Sequence, residues 1–193
     1  MSVFSLLFHP RYILLSIISV SLIACKQGVD KAGISELEQS YQALLEANGP
    51  SSQGEDITAL SQKLTNAYMD FAEAQPSDPE SVEYLYKASE HLESPLKKPE
   101  EAIEVLQKIA AQYPEHPRAA DAMFRTGYIY HNTLQDLDQA KNAYNAFIEK
   151  YPDHELIPSA KFEVNNLGVS TQELLERIQQ QNQGSENDSV LSE

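Results

Sequence analysis

Tyr113-Pro114-Glu115-His116 and Tyr151-Pro152-Asp153-His154 are the same phrase written twice, 38 residues apart. The same offset carries Ala102 onto Ala140, Leu106 onto Tyr144, Ile109 onto Phe147, Ala122 onto Ala160 and Phe124 onto Phe162. One step back, Leu64, Tyr68 and Phe71 fall on Ala102, Leu106 and Ile109, and Gln75-Pro76-Ser77-Asp78-Pro79 falls on Tyr113 to Pro117. Three copies of one junction mark an internal repeat, and periods of about 20 to 50 residues belong to solenoids, whose units bury their apolar faces only against their neighbours.

Within a unit the apolar spacing is helical. Ala102, Leu106, Ile109 and Tyr113 step by 4, 3 and 4, as do Ala140, Tyr144, Phe147 and Tyr151, which places each set on one stripe. Pro79 and Pro117 suit the first turn of a helix, where a missing N–H costs nothing, and Asp78 and His116 precede them as caps. Gly127 lets a partner helix approach closely. The Pro95 and Pro99 region and the segment from Asn132 to Asp136 close two hairpins. The layout predicts helices at 34–47, 56–75, 79–93, 99–113, 117–132, 137–151, 156–167 and 170–182, pairing into about four hairpins. Ile34, Leu37, Tyr41, Leu44 and Leu45 give the first an apolar stripe; Leu174, Leu175 and Ile178 suggest that the last is a short cap.

Gly127, Tyr130, Ala140, Tyr144, Phe147 and Pro152 resemble the small, aromatic, small, aromatic, apolar and Pro signature of the tetratricopeptide repeat, with one extra residue in the inter-helix turn. The preceding copy has Ser89, Leu92, Ala102, Leu106, Ile109 and Pro114 in those slots, and the stretch around Pro95 and Pro99 lengthens it. The resemblance covers about residues 57–167. It implies an all-α, right-handed solenoid of antiparallel helix hairpins. The wording of the second junction is similar to repeats of bacterial envelope lipoproteins, such as BamD-like outer-membrane assembly lipoproteins and CpoB-like periplasmic repeat proteins.

Upstream, Tyr12 to Ala24 is an uncharged run that follows Arg11, too short to span a membrane and of the length of a signal-peptide core. Leu22-Ile23-Ala24-Cys25 resembles the bacterial lipobox, whose Cys becomes a lipidated N-terminus, and Cys25 is the only cysteine in the chain. The alternative is an ordinary signal peptide with a chance Cys. Residues 1–24 are then a lipoprotein signal peptide, 25–33 a lipidated tether, 34–182 the solenoid and 183–193 a disordered acidic tail. Several acyl chains on Cys25 would anchor stably where one would not. Lys26 rather than Asp after the Cys favours the outer membrane, facing the periplasm. Asn187-Asp188-Ser189 matches a glycosylation acceptor and is read as unmodified in such a lipoprotein.

The chain has 193 residues, 14 Lys+Arg against 29 Asp+Glu, and a net charge of −15. This balance supplies no basic stripe for nucleic acid, and one Cys excludes a disulfide framework or a Cys-cluster zinc site. No phosphate-cradling Gly loop, nucleophile elbow or His-Glu-x-x-His motif occurs. His116 and His154 hold the same slot of successive repeats and read as helix caps rather than as a metal pair; Glu100-Glu101 opens a helix, where the dipole favours acids. The expectation is a non-catalytic protein with no cofactor and no metal site. By the resemblance, the first helix of each hairpin lines a concave face and sets Glu83, Tyr86, Glu90, Asp121, Phe124, Tyr128 and His131 toward it. That groove would be acidic and aromatic, suited to an envelope protein's peptide segment with basic and apolar residues. The function expected is a lipid-anchored envelope adaptor, with outer-membrane protein assembly and division or Tol-system coordination both open. An enzyme or solute-binding lipoprotein with an unseen site is the other class.

Overall fold

The computed structural model describes residues 30–49, 54–170 and 172–180, and every regular element in them is helical. The helices are α1 Lys31–Asn48, α2 Glu55–Ala74, α3 Glu80–Glu93, α4 Pro99–Gln112, α5 Pro117–Tyr128, α6 Leu137–Lys150 and α7 Ile157–Asn166, with α8 at 172–180. The fold is an all-α helical-repeat solenoid in which each helix packs mainly on its chain neighbours. Cys25, the 1–24 segment and the 183–193 tail lie outside the described residues.

The helix starts follow local chemistry. The Asp30 carboxylate accepts from the backbone N–H of Gly33 at 2.9 Å, and Asp78 accepts from Glu80 at 2.9 Å. His116 accepts through Nδ1 from the N–H of Arg118, and His154 does the same for Leu156, both at 3.2 Å. His116 is thereby the N-cap of α5, as its repeat position suggested, whereas His154 repeats the contact one turn ahead of α7, whose N-cap is Leu156. Pro99 and Pro117 occupy first-turn positions of α4 and α5. Lys97 (φ 54°) and Gln135 (φ 56°) turn the chain between helices in the left-handed region, a conformation non-glycine residues seldom adopt.

Most helix bounds fall one to three residues from the sequence expectation, the first helix starting at Lys31 rather than Ile34, and one helix differs in kind. The helix expected over 117–132 is α-helical only to Tyr128; Ile129–Thr133 is a π turn, closed by the Leu134 N–H donating to the Ile129 carbonyl at 3.0 Å. The residue assigned to the inter-helix turn is absorbed in the helix itself, as a single insertion commonly is.

The core falls into three consecutive packets. Ile34, Leu64, Tyr68, Phe71 and Tyr84 join α1, α2 and α3; Leu85, Leu92, Leu106, Ile109 and Ile129 join α3 to α5; Ala120, Ala140, Tyr144, Phe147 and Ala160 join α5 to α7. The stripe residues Ala102, Leu106, Ile109, Ala140, Tyr144 and Phe147 are all fully buried. Gly127 shows why its position must be small: a Cβ there would lie 2.7–2.9 Å from the Tyr144 ring. The equivalent slots one repeat earlier hold Ser89 and the slimmer Leu106. The Tyr144 hydroxyl is buried without a hydrogen-bond partner.

Two substitutions test this packing. Gly127→Ala should lower unfolding stability by about 1–3 kcal/mol, since overpacking displaces the ring and α6 with it. Tyr144→Phe should be neutral or stabilising by up to about 1 kcal/mol, because it removes an unpaired buried hydroxyl. Urea denaturation of the two variants beside the parent chain measures both.

Candidate functional site

The helices α1, α3, α5 and α7 succeed one another along one face, and ionic contacts cross between them. At the first crossing Lys87 of α3 meets Glu38 of α1 at 2.7 Å while lying over the rings of Tyr68 and Tyr84 at 5.8 and 5.7 Å. At the second, Arg118 and Arg125 of α5 reach back to α3: Arg118 to Glu83 at 2.9 Å, Arg125 to Glu93 at 2.7 Å and to Glu90 at 3.6 Å. Tyr86 lies beneath both guanidinium groups, 4.4 Å from Arg118 and 5.8 Å from Arg125, in cation–π range. At the third, His131 of the π turn meets Glu163 of α7 at 3.0 Å. Lys31, which holds Asp78 and Glu80 at 3.0 Å each, ties the start of α1 to the turn before α3.

The electrostatics follow from these contacts. The hydrogen bond that Arg118 donates to Glu83 is the largest influence on its pKa and raises it. Burial opposes the charge of Arg125, but the fields of Glu93, Tyr86 and Glu90 outweigh it, so its pKa also rises. Burial, then the hydrogen bond it donates to Glu38, drives Tyr68 above the ordinary tyrosine range. His91 moves the other way: burial lowers its pKa, Lys87 adds to that, and Glu38 opposes it.

At the α1 end this face opens into a cleft of about 670 Å³ between α1, α2 and α3. Leu45, Ile57, Leu64 and Pro95 supply apolar wall, Tyr41 and Tyr68 supply rings, and Glu38, Lys87, Glu90 and His91 supply polar edges. Tyr41 and His91 meet edge to face at 4.8 Å, and the His91 Nδ1 is buried without a partner. Gln42, Thr58 and Ser94 complete the lining, so the cleft is polar and apolar in nearly equal part and suits a ligand segment that carries both characters.

The residues expected at the groove divide into three sets. Glu83, Tyr86, Glu90 and Asp121 come together, but around arginines: Asp121 also binds Arg118, at 3.2 Å. Glu83, Glu90, Glu93 and Asp121 share two guanidinium groups, so the face expected to be acidic and aromatic is partly neutralised and keeps an excess of negative charge. Phe124 belongs to the core, its ring 5.4 Å from Tyr144 and 5.7 Å from Phe147, because at this point of the turn it faces α6. Tyr128 stands 44 % exposed, and His131 is tied to Glu163. Arg118, Arg125, Lys87, His91, Glu38 and Tyr41 were missed. Arg118 and Arg125 are seven apart on α5, as Glu83 and Glu90 are on α3, which is a legible pairing signal between adjacent helices. Among the described residues no group of three His, Cys, Asp or Glu could hold a metal ion, and no helix is long and apolar enough to cross a membrane.

Residues 83–116 and 121–154 match the tetratricopeptide-repeat family. The two stretches carry the same 38-residue offset as the junctions, and each spans the first helix of a hairpin and its partner. No curated protein and no solved structure matches the chain. The two tetratricopeptide repeats thus hold the Arg118 and Arg125 crossing between them, and the cleft lies where the first of them meets α1 and α2. Repeats of this kind form protein-binding scaffolds, generally without catalysis.

Two measurements follow. A double-mutant cycle on Arg125 and Glu93 should give a coupling of about 1–2 kcal/mol, since the Glu93 side chain is only 11 % exposed, whereas the surface pair Lys98 and Glu101 should give about 0.5 kcal/mol or less. His91 should make stability pH-dependent. Its folded form resists the proton that the unfolded chain takes near the ordinary value of about 6.5, so stability falls as pH drops from about 7 to about 5. In His91→Gln that share of the fall should vanish, as urea titrations at the two pH values would record.

Proposed function

We propose that this protein is a non-catalytic adaptor of the bacterial cell envelope, tethered to a membrane through a lipid on Cys25 and holding a protein partner on the face crossed by α1, α3, α5 and α7. The observation that carries the reading is the pairing of tetratricopeptide repeats with a cleft of mixed polar and apolar lining on that face. Leu22-Ile23-Ala24-Cys25, placed after an uncharged run and holding the sole cysteine, supports the tether. Glu90, half exposed and only loosely held by Arg125, stands at the cleft edge with Glu38 and supports a partner segment with a basic residue beside an apolar anchor. An outer-membrane position facing the periplasm accords with Lys26, and a place in outer-membrane protein assembly accords with the wording of the repeats. A division or Tol-system coordinator is the other reading. A long trimerising coil, its usual companion, is not supported by α1, which runs for 18 residues and buries Ile34 against α2 and α3.

Cys25→Ser should release the protein from membranes on alkaline carbonate extraction; full retention would overturn the tether. A photo-crosslinker at Tyr41, in the cleft, and another at Tyr128 should capture envelope proteins in living cells. Capture of β-barrel assembly components from Tyr41 supports the assembly role, and capture of Tol or peptidoglycan-synthesis proteins replaces it with the coordinator role. A folded, lipidated protein that captures nothing at either position would overturn the adaptor reading.

A further inference from the structure

The histidine in the cleft is held differently from the others. His116 and His154 accept a backbone N–H through Nδ1, and His131 meets Glu163 through the same atom. The Nδ1 of His91 is buried and has no partner. Its ring stands edge to face against Tyr41 at 4.8 Å and tilted on Tyr68 at 6.0 Å, so it forms the part of the cleft wall where α3 faces α1 and α2. A neutral imidazole tolerates this place, because it can carry its one proton on Nε2 and leave Nδ1 bare. An imidazolium has an N–H on both nitrogens and would bury one of them without an acceptor.

The relief for a protonated ring lies in the cleft itself. Turning Nδ1 away from the two tyrosines and into this space of about 670 Å³ gives it water and carboxylates to donate to. The charged and titratable groups that face the ring are Glu38 and Tyr41 from α1, Tyr68 from α2, and Lys87 and Glu90 from α3, while the turn after α3 adds only Ser94 and Pro95. Two carboxylates thus stand against one ammonium, which Glu38 already holds at 2.7 Å. A basic residue of a bound segment would use the same carboxylates, so the imidazolium and that residue compete for them. Burial, which already lowers the pKa of His91, would increase under an occupant that covers the wall.

We propose that His91 makes the cleft proton-gated. With the imidazole neutral, the ring stays against Tyr41 and Tyr68 and the cleft takes its partner; a proton turns the ring into the cleft and displaces the partner's basic residue. Partner and proton then weaken each other's binding by the same factor. The inference rests on the adaptor reading, in which this cleft is the partner site.

A photo-crosslinker at Thr58, an exposed residue of the cleft lining, would test it in membranes from cells expressing the full chain, irradiated at about pH 7 and about pH 5. The adduct should fall by about threefold or more between the two, with the helical circular dichroism unchanged. In His91→Gln the ratio of the two yields should stay near one, whatever the level at the higher pH, because every other titrating group is still present. His91→Asn serves the same purpose through a shorter amide. His91→Lys, which sets a cation in the cleft, should depress the adduct at both pH values. A parent adduct that does not change with pH overturns the gate and leaves the adaptor reading standing, and so does an equal fall in the parent and both amide variants. A folded parent with no adduct from Thr58 at either pH overturns the cleft as the partner site, and the gate with it.

Discussion

The contact between the Tyr144 ring and the backbone at Gly127 sets the geometry of the unit on which the rest is built. A ring that large can lie flat against a neighbouring helix only where the neighbour has no side chain, and Gly127 provides that gap. The approach brings α6 onto α5 closely enough for Phe147 and Ala140 to share one packet with Ala120 and Ala160. Burial in a solenoid extends only to the next unit, so the precision of each local contact has to substitute for the large shared core of a globular domain. That is also why the three packets follow chain order.

On that frame the polar contacts do something different from the apolar ones. The apolar packets fix how each helix sits on its chain neighbour. The contacts from Glu38 to Lys87, from Glu83, Glu90 and Glu93 to Arg118 and Arg125, and from His131 to Glu163 fix how alternate helices sit beside one another. They also settle the character of the face. Each of these acids touches a cation, but the carboxylates outnumber the cations they share, so the face keeps a negative excess beside a cleft of mixed polar and apolar lining edged by Glu90 and Glu38.

Period and helix spacing made the architecture readable before any coordinates. The 38-residue junction placed the start of α5 at Pro117 and that of α3 within one residue, at Pro79, and the shared Nδ1 contacts of His116 and His154 followed from their repetition. Ala102, Leu106 and Ile109 were legible as core because stripe residues obey a local rule. The face was less legible because its partners lie on other helices. Glu83 showed no partner on its own helix, and Arg118, which it meets, entered through the packing of α5 beside α3, while the Arg118 to Asp121 pair lies within α5 at a spacing the sequence already held. Phe124 went astray by a single helical position, enough to turn a ring from groove to core. The π turn at Ile129–Thr133 left no trace beyond one residue too many, and a surplus residue can be housed in a turn or in a helix.

The crossings between alternate helices lie along one side of the stack, so that side is tied by charge while the interior is held by apolar packing. Dissolved ions screen exposed charges over a length of about 8 Å at physiological ionic strength, but these partners meet at 2.7–3.6 Å and are partly buried, where screening is much weaker. The side of the stack lined by α1, α3, α5 and α7 therefore keeps its register with little dependence on ionic strength.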